Sequence, residues 1–375
     1  MRAALSKTDS SSHAATRVLV TGGAGYIGSH AAKLLARVGF EPIVFDNFAT
    51  GHPWAVKWGP LVRGDLQDAE LIHTVLIKYQ VRAVMHFAAS AYVGESMRCP
   101  RKYFRNNALN SVNLLDAMVD TGVKHVVFSS TCATYGMATT VPIPEDHTQQ
   151  PVNPYGESKR FVERTLYWYG EAYGLRWVAL RYFNAAGADP EGEIGEEHDP
   201  ETHLIPMAVQ AGLAELPRLE IFGTDYPTRD GTAIRDFIHV TDLAEAHVLA
   251  LKHLLDGGES TALNLGTGRG HSVREVVAEV ERTSGRRLVI QEAARRPGDP
   301  PILVADAGRA SQLLGWRPQY SNLDTIINTA WHWHKSRRNV ASAGRFPAAR
   351  PKKHEDQSWQ ARQRKNTQHV GPRGV

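Results

Sequence analysis

A chain of 375 residues suits one large domain or two closely joined ones, and a composition of 42% apolar and 22% charged residues is ordinary for a globular protein. No apolar run approaches the roughly 18 residues of a membrane span. Two cysteines, Cys99 and Cys132, allow one disulfide at most, which suits the reducing cytoplasm. The net charge of +4 comes from the C-terminus, where residues 336–375 hold ten Lys and Arg against Glu355 and Asp356, so the rest of the chain is mildly acidic and neither a nucleic-acid nor a membrane partner is expected.

In chain order, residues 1–16 (MRAALSKTDSSSHAAT) lack the apolar stretch of a secretory signal and read as a disordered N-terminal extension. From Arg17, short β-branched runs alternate with stretches of helical period. Strands are predicted at Val18 to Val20, Pro42 to Asp46, Leu61 to Arg63, Ala83 to Phe87, His125 to Ser129 and Trp177 to Phe183. Helices are predicted at Ile27 to Val38, Ala69 to Tyr79, Asn107 to Val119 and Glu157 to Tyr173. The runs VLV, IVF, AVM and HVVF are unbroken, as strands covered on both faces are. The fold class is therefore α/β: a Rossmann-like doubly wound parallel sheet over residues 17–184, with some later segments returning to it. After Asn184 the rhythm breaks into a loop rich in Gly, Asp, Glu and Pro, a helix near Ile205 to Ala214, and scattered short elements. Residues 185–335 are expected to form mainly a smaller irregular α/β substrate lobe over the carboxyl edge of the sheet. The Trp331-His332-Trp333-His334 run reads as a C-terminal helix packed on the core, and residues 336–375, nearly devoid of aliphatic side chains, as a disordered basic tail.

The first strand leads into Thr21-Gly22-Gly23-Ala24-Gly25-Tyr26-Ile27-Gly28. Gly22 and Gly25 let the backbone turn and approach a pyrophosphate, and Gly28 lets the helix pack close with its amide dipole on the phosphates. Asp46 closes the second strand, 18 residues beyond Gly28, where a carboxylate accepts ribose hydroxyls and opposes a 2′-phosphate, which favours NAD over NADP. Asp65 and Leu66, after the third strand, are placed to meet the adenine. A second signal is Tyr155-Gly156-Glu157-Ser158-Lys159, whose spacing puts Tyr155 and Lys159 on one helix face. A phenol of pKa about 10 is a poor base at neutral pH, but a nearby ammonium and an oxidised nicotinamide both favour the phenolate. Ser129-Ser130-Thr131, ending the preceding strand, supply hydroxyls at the same carboxyl edge.

These residues together resemble the extended short-chain dehydrogenase/reductase superfamily and, within it, the UDP-glucose (UDP-galactose) 4-epimerase family, over about residues 17 to 335. The stretches that carry the resemblance are VTGGAGYIGSH, FDNF, HFAA with VGES, FSSTCATYG, NPYGESK, RYFNAAG, IFGTDYPTRDGT, IRDFIHVTDLA, NLGTG and RRPGD. The resemblance implies Tyr155 as catalytic base and acid, Lys159 as its partner and Thr131 as the strand-end hydroxyl. It implies NAD held by Gly22, Gly25, Tyr26, Ile27, Gly28, Asp46, Asn47, Asp65, Leu66, Phe87, Ala88, Ala89, Asn106, Ser129, Tyr155, Lys159 and Phe183. A UDP-sugar would meet Thr131, Tyr155, Asn184, His203, Leu204, Phe222, Arg235, Arg296, Asp299 and Leu303, with Phe222 beside the uracil. A cytoplasmic homodimer is implied as well.

The chain departs from the family pattern at Ala91, where a lysine often reaches the cofactor ribose, and at His203, where an asparagine usually meets the uridine diphosphate. His198 and His203 form a pair, but nothing else around them reads as a ligand, so no metal is expected. A 4,6-dehydratase would carry an Asp-Glu pair after the strand-end threonine; Cys132 and Ala133 stand there. Epimerases of UDP-glucuronate, UDP-pentoses or UDP-N-acetylhexosamines share the same base, and a non-catalytic NAD-binding scaffold would not need Tyr155 and Lys159.

Overall fold

The computed structural model describes residues 16–296 and 299–342. Seven parallel strands form the main sheet, in the spatial order Thr261–Leu265, Arg176–Tyr182, His125–Thr131, Ala83–His86, Arg17–Thr21, Glu41–Asp46, Leu61–Arg63. Alternation along the strands supplies both faces. Val18, Val20, Met85 and Val127 enter one apolar cluster with Leu243 and Leu251, while Leu19, Val84, Val126 and Phe128 enter the other with Leu114 and Val162. A strand covered on both sides has no polar face to offer, which is why these runs read as continuously apolar.

Two later segments complete this sheet. The helix Val240–Leu255 packs on the helix Tyr26–Arg37, and Thr261–Leu265 adds the seventh strand beside Arg176–Tyr182. What the sequence shows only as scattered short elements forms a second sheet around Ile234–His239. Asn184–Ala186 and Ile302–Leu303 pair with that strand in parallel, and Gly270–Ser272 pairs with it antiparallel. Leu219–Phe222 and Ile290–Ala293 make a separate parallel pair.

Several element boundaries differ from expectation; the helix expected from Glu157 already starts at Pro154 and so includes Tyr155. The helix expected from Asn107 begins inside a π-helical turn, Phe104–Leu109, and the α-helix proper runs Asn110–Thr121. The last helix, Leu323–Ser342, continues past the boundary expected at 335, so the first residues of the expected disordered tail are helical. In it Trp333 is buried and its indole donates to the Glu196 carbonyl at 2.9 Å. The expected N-terminal extension, apart from Thr16, and the tail from 343 on lie outside the described residues. Among the described residues no helix is long and apolar enough to cross a membrane.

Candidate active site

The glycine turn is shaped by contact. Gly22 has φ +71°, and a Cβ there would sit 2.6 Å from the Ala88 nitrogen; a Cβ on Gly28 would lie 2.2 Å from the Gly22 carbonyl oxygen. Only glycine permits the strand end, the turn and the helix to approach so closely. The helix Tyr26–Arg37 has Gly25 as its N-cap, with no side-chain cap and no acidic residue in its first turn, so no group of the helix itself competes with a phosphate for the free amides. Asp46 is buried, accepting from Ala24 N at 2.9 Å and Phe48 N at 2.8 Å. Burial raises its pKa and these amides oppose the rise, so the carboxylate is fixed at the mouth of the turn. Asn47 donates to Asp65 at 2.7 Å.

The side chains of other residues expected at the cofactor also make contacts within the protein. The side chain of Leu66 belongs to the core with Leu19, Ile43 and Phe45, which leaves only its main chain for a ligand. Phe87 packs against His247 with ring centroids 4.7 Å apart, and Ile27 lies against the same core. Ala88 backs Gly22, with Ala89 following it half-buried. Tyr26 donates to the Gly187 carbonyl at 2.7 Å, tying the turn to the loop of the second lobe. Asn106 reaches Ser90 Oγ at 3.3 Å, but its neighbour Asn107, which sequence reasoning passed over, is the buried one: it accepts from Ser90 N at 2.8 Å and donates to Ser90 O at 2.9 Å and Ser158 Oγ at 3.1 Å. The widened π turn sets this pair into the cleft wall.

At the carboxyl end of the strand His125–Thr131 the two chemical signals converge. The helix Pro154–Tyr173 starts with Pro154 and an Asn153 cap whose Oδ1 accepts from Gly156 N at 2.8 Å, which puts Tyr155 in the first turn. Tyr155 is buried. Burial and the neighbouring Tyr182 push its phenol far above the usual value, while a hydrogen bond with Thr131 acts the other way. Lys159, one turn on, donates to the Ser129 carbonyl at 2.8 Å and lies 4.9 Å from the centre of the Phe128 ring; burial lowers its pKa to about 7, against the attraction of Glu163. The ammonium is thus directed at a backbone oxygen, and the hydrogen bond with Thr131 opposes the phenol's rise. Tyr182, at 2.5 Å from Ser129 Oγ, is a second phenol in the site that went unread, although it stands in the quoted RYFN stretch.

The expected substrate residues fall into pairs. Arg235 donates to Asp299 at 2.5 Å, and Arg296 stacks over Phe222 at 4.0 Å from the ring centre. Leu303 is the register neighbour of Arg235 and joins a small cluster with Cys132 and Phe183 beside the reacting end. Burial pushes the Cys132 thiol up to about 12, with the Arg235 guanidinium opposing, so it is an inert wall residue. Asn184 starts the strand paired with Phe237. His203 caps the helix Leu204–Gly212, but its Nδ1 is occupied by Glu196 at 2.8 Å and Glu201 at 3.1 Å. His198 lies against the same two carboxylates. The reading that nothing else near the histidine pair supplies ligands is therefore corrected: the fold brings in two glutamates from the same loop.

The glycine turn, the fixed Asp46 and the buried Tyr155 and Lys159 define an NAD-dependent oxidoreductase-type site on a doubly wound sheet. Residues 18–266 match the NAD dependent epimerase/dehydratase family, and the chain belongs to it. The UDP-glucose 4-epimerase of Rhizobium meliloti (strain 1021) is 52% identical over 322 residues, 86% of this chain and 98% of that protein. The crystal structure of UDP-glucose 4-epimerase from Brucella ovis in complex with NAD shares 56% identity, with TM-score 0.83, over 85% of this chain and 98% of its own. A UDP-glucose-4-epimerase from Stenotrophomonas maltophila, with bound NAD and formylated UDP-arabinopyranose, shares 38% identity with TM-score 0.84, over 87% and 99%.

Proposed function

We infer that this chain is an NAD-dependent UDP-glucose 4-epimerase that interconverts UDP-glucose and UDP-galactose. The observation that carries the reading is the meeting of Tyr155, Thr131 and Lys159 at one strand end, beside the cluster of Leu303, Cys132 and Phe183. The hydrogen at C4 of a hexose is not acidic enough for direct abstraction. NAD, which the glycine turn and Asp46 would hold, would supply reversible hydride acceptance at C4 and so allow a planar 4-keto sugar. Tyr155 takes the 4-hydroxyl proton and returns it after the ring has turned over, and Thr131 holds the same oxygen. The buried phenol is a weak base until a positive charge enters beside it, which couples proton removal to the oxidised cofactor. Arg235 and Arg296 clamp the diphosphate, because a guanidinium meets it bidentately and the anchor must hold while the sugar moves. Asn184, Leu204 and Phe222 are assigned to the UDP moiety.

We place the enzyme in the cytoplasm, in keeping with two unpaired cysteines, and as a homodimer through the helix Pro154–Tyr173, whose Phe161 and Trp168 are exposed one above the other, seven positions apart. Incubating the purified protein with a panel of UDP-sugars and identifying the products tests the activity. Tyr155→Phe should retain fold and NAD but lose at least about a hundredfold in kcat. Unchanged turnover in that variant, or no product from UDP-galactose with the wild type, would overturn the reading.

A further inference from the structure

Four side chains of one loop converge on a single point. His203 Nδ1 lies 2.8 Å from Glu196 Oε1 and 3.1 Å from Glu201 Oε1, and His198 Nδ1 lies 3.2 Å from Glu196 Oε1 and 3.6 Å from Glu201 Oε2. One ligand atom from each of the four falls within 4.8 Å of the others. Zinc–nitrogen and zinc–oxygen bonds of about 2.0–2.2 Å, arranged tetrahedrally, require donors about 3.3–3.5 Å apart. The observed contacts bracket that spacing.

Hydrogen bonding within the cluster accounts for only part of it. The side chains of Glu196 and Glu201 are only 5% and 6% exposed, yet Glu201 Oε2 and His198 Nδ1 are buried with no hydrogen-bond partner among the described residues. Their mutual 3.6 Å is too long for one. Ion pairing alone, at 2.8–3.6 Å, leaves Glu201 Oε2 and His198 Nδ1 without a hydrogen bond, whereas one divalent ion takes all four donors, two neutral imidazoles and two carboxylates. Tyr92 lies against both histidines, at 5.9 Å and 6.1 Å between ring centroids, and shields the point.

We propose that Glu196, His198, Glu201 and His203 form a structural zinc site that fastens the 196–203 loop, and with it the start of the helix Leu204–Gly212, beside Tyr26 and Tyr92. Four protein ligands leave no open position, which marks a structural rather than a catalytic site, and a nitrogen-and-carboxylate set suits zinc over calcium or magnesium. The backbone already presents the ligands. Ala188 and Gly195 bridge the base of a hairpin, Trp333 holds the Glu196 carbonyl, and Glu201 Oε1 accepts from the amides of Thr202 and His203.

Full-length protein stripped with a chelator and gel-filtered is titrated with zinc, and in parallel with cobalt(II). The expected result is about one zinc per chain by elemental mass spectrometry after buffer exchange, a zinc-dependent rise in Tm, and visible absorption bands of tetrahedral cobalt. His198→Gln and Glu196→Gln should each weaken metal retention at least tenfold and abolish the cobalt bands. If either variant fails to fold, calorimetric zinc titration of the wild type decides by stoichiometry. Wild-type protein that retains no zinc, or variants that both bind it as the wild type does, would overturn the proposal. Epimerase activity is scored separately, so either conclusion can fail alone.

Discussion

Lys159 donates to the main-chain carbonyl of Ser129 at 2.8 Å, which joins the helix carrying Tyr155 to the carboxyl end of the strand His125–Thr131. The contact holds the ammonium in the interior, and burial is what depresses its pKa to about 7. A base whose folded pKa lies below the unfolded value of about 10.4 carries an unfavourable term that is full below pH 7 and fades as pH rises to that value, because the unfolded chain alone keeps the proton in that interval. Lys159→Met should therefore raise Tm relative to wild type at pH 6, and the gain should shrink steadily toward pH 10. Turnover should fall at every pH. Thermal scans across pH check the trend; a gain that grows with pH would contradict it.

Asp46 should set cofactor choice. Its two oxygens are fixed by the amides of Ala24 and Phe48, so the carboxylate cannot swing away from an incoming 2′-phosphate. Apo-enzyme reconstituted with NADP should be inactive. Asp46→Ser should weaken NAD about ten- to hundredfold, the worth of hydrogen bonds to a charged acceptor, and improve NADP. Fluorescence titration with both cofactors measures this.

Glu163 and Arg181 form a buried ion pair at 2.6 Å that no sequence motif announced. Ser130 and Gln149 also donate to Glu163, and Arg181 reaches Tyr135 Oη and the Glu145 carbonyl. Glu163→Ala strands a buried guanidinium and should cost about 3–5 kcal/mol. Replacing both partners with apolar residues of similar volume should restore much of that. Denaturant melts of the single and double variants test the cycle.

Leu303 should gate the sugar pocket. It packs with Cys132 and Phe183 next to the strand end that bears Thr131. It is smaller than tyrosine but γ-branched, so plain hexoses should be good substrates and UDP-N-acetylglucosamine a poor one. Leu303→Tyr should abolish the residual acetamido activity, and Leu303→Ala should raise its share of kcat/KM about tenfold, the scale of a few methylenes in a pocket. An unchanged ratio in both variants would remove Leu303 from the specificity wall.

The doubly wound sheet, the glycine turn and the shared helix face of Tyr155 and Lys159 are legible in the residues alone. Each of these is written in a short window: an unbroken apolar run, a turn that needs glycine, a spacing of four. Tertiary structure decided the rest. It turned Leu66 into the core, gave Lys159 a backbone oxygen as its partner, brought Tyr182 against Ser129, and joined Arg235 to Asp299 across 64 positions. It also gathered Glu196 and Glu201 around His198 and His203. The physical reason is that periodicity and turn chemistry act within a few residues of chain, whereas burial, ion pairing and donor convergence depend on which distant segments the closed core forces together.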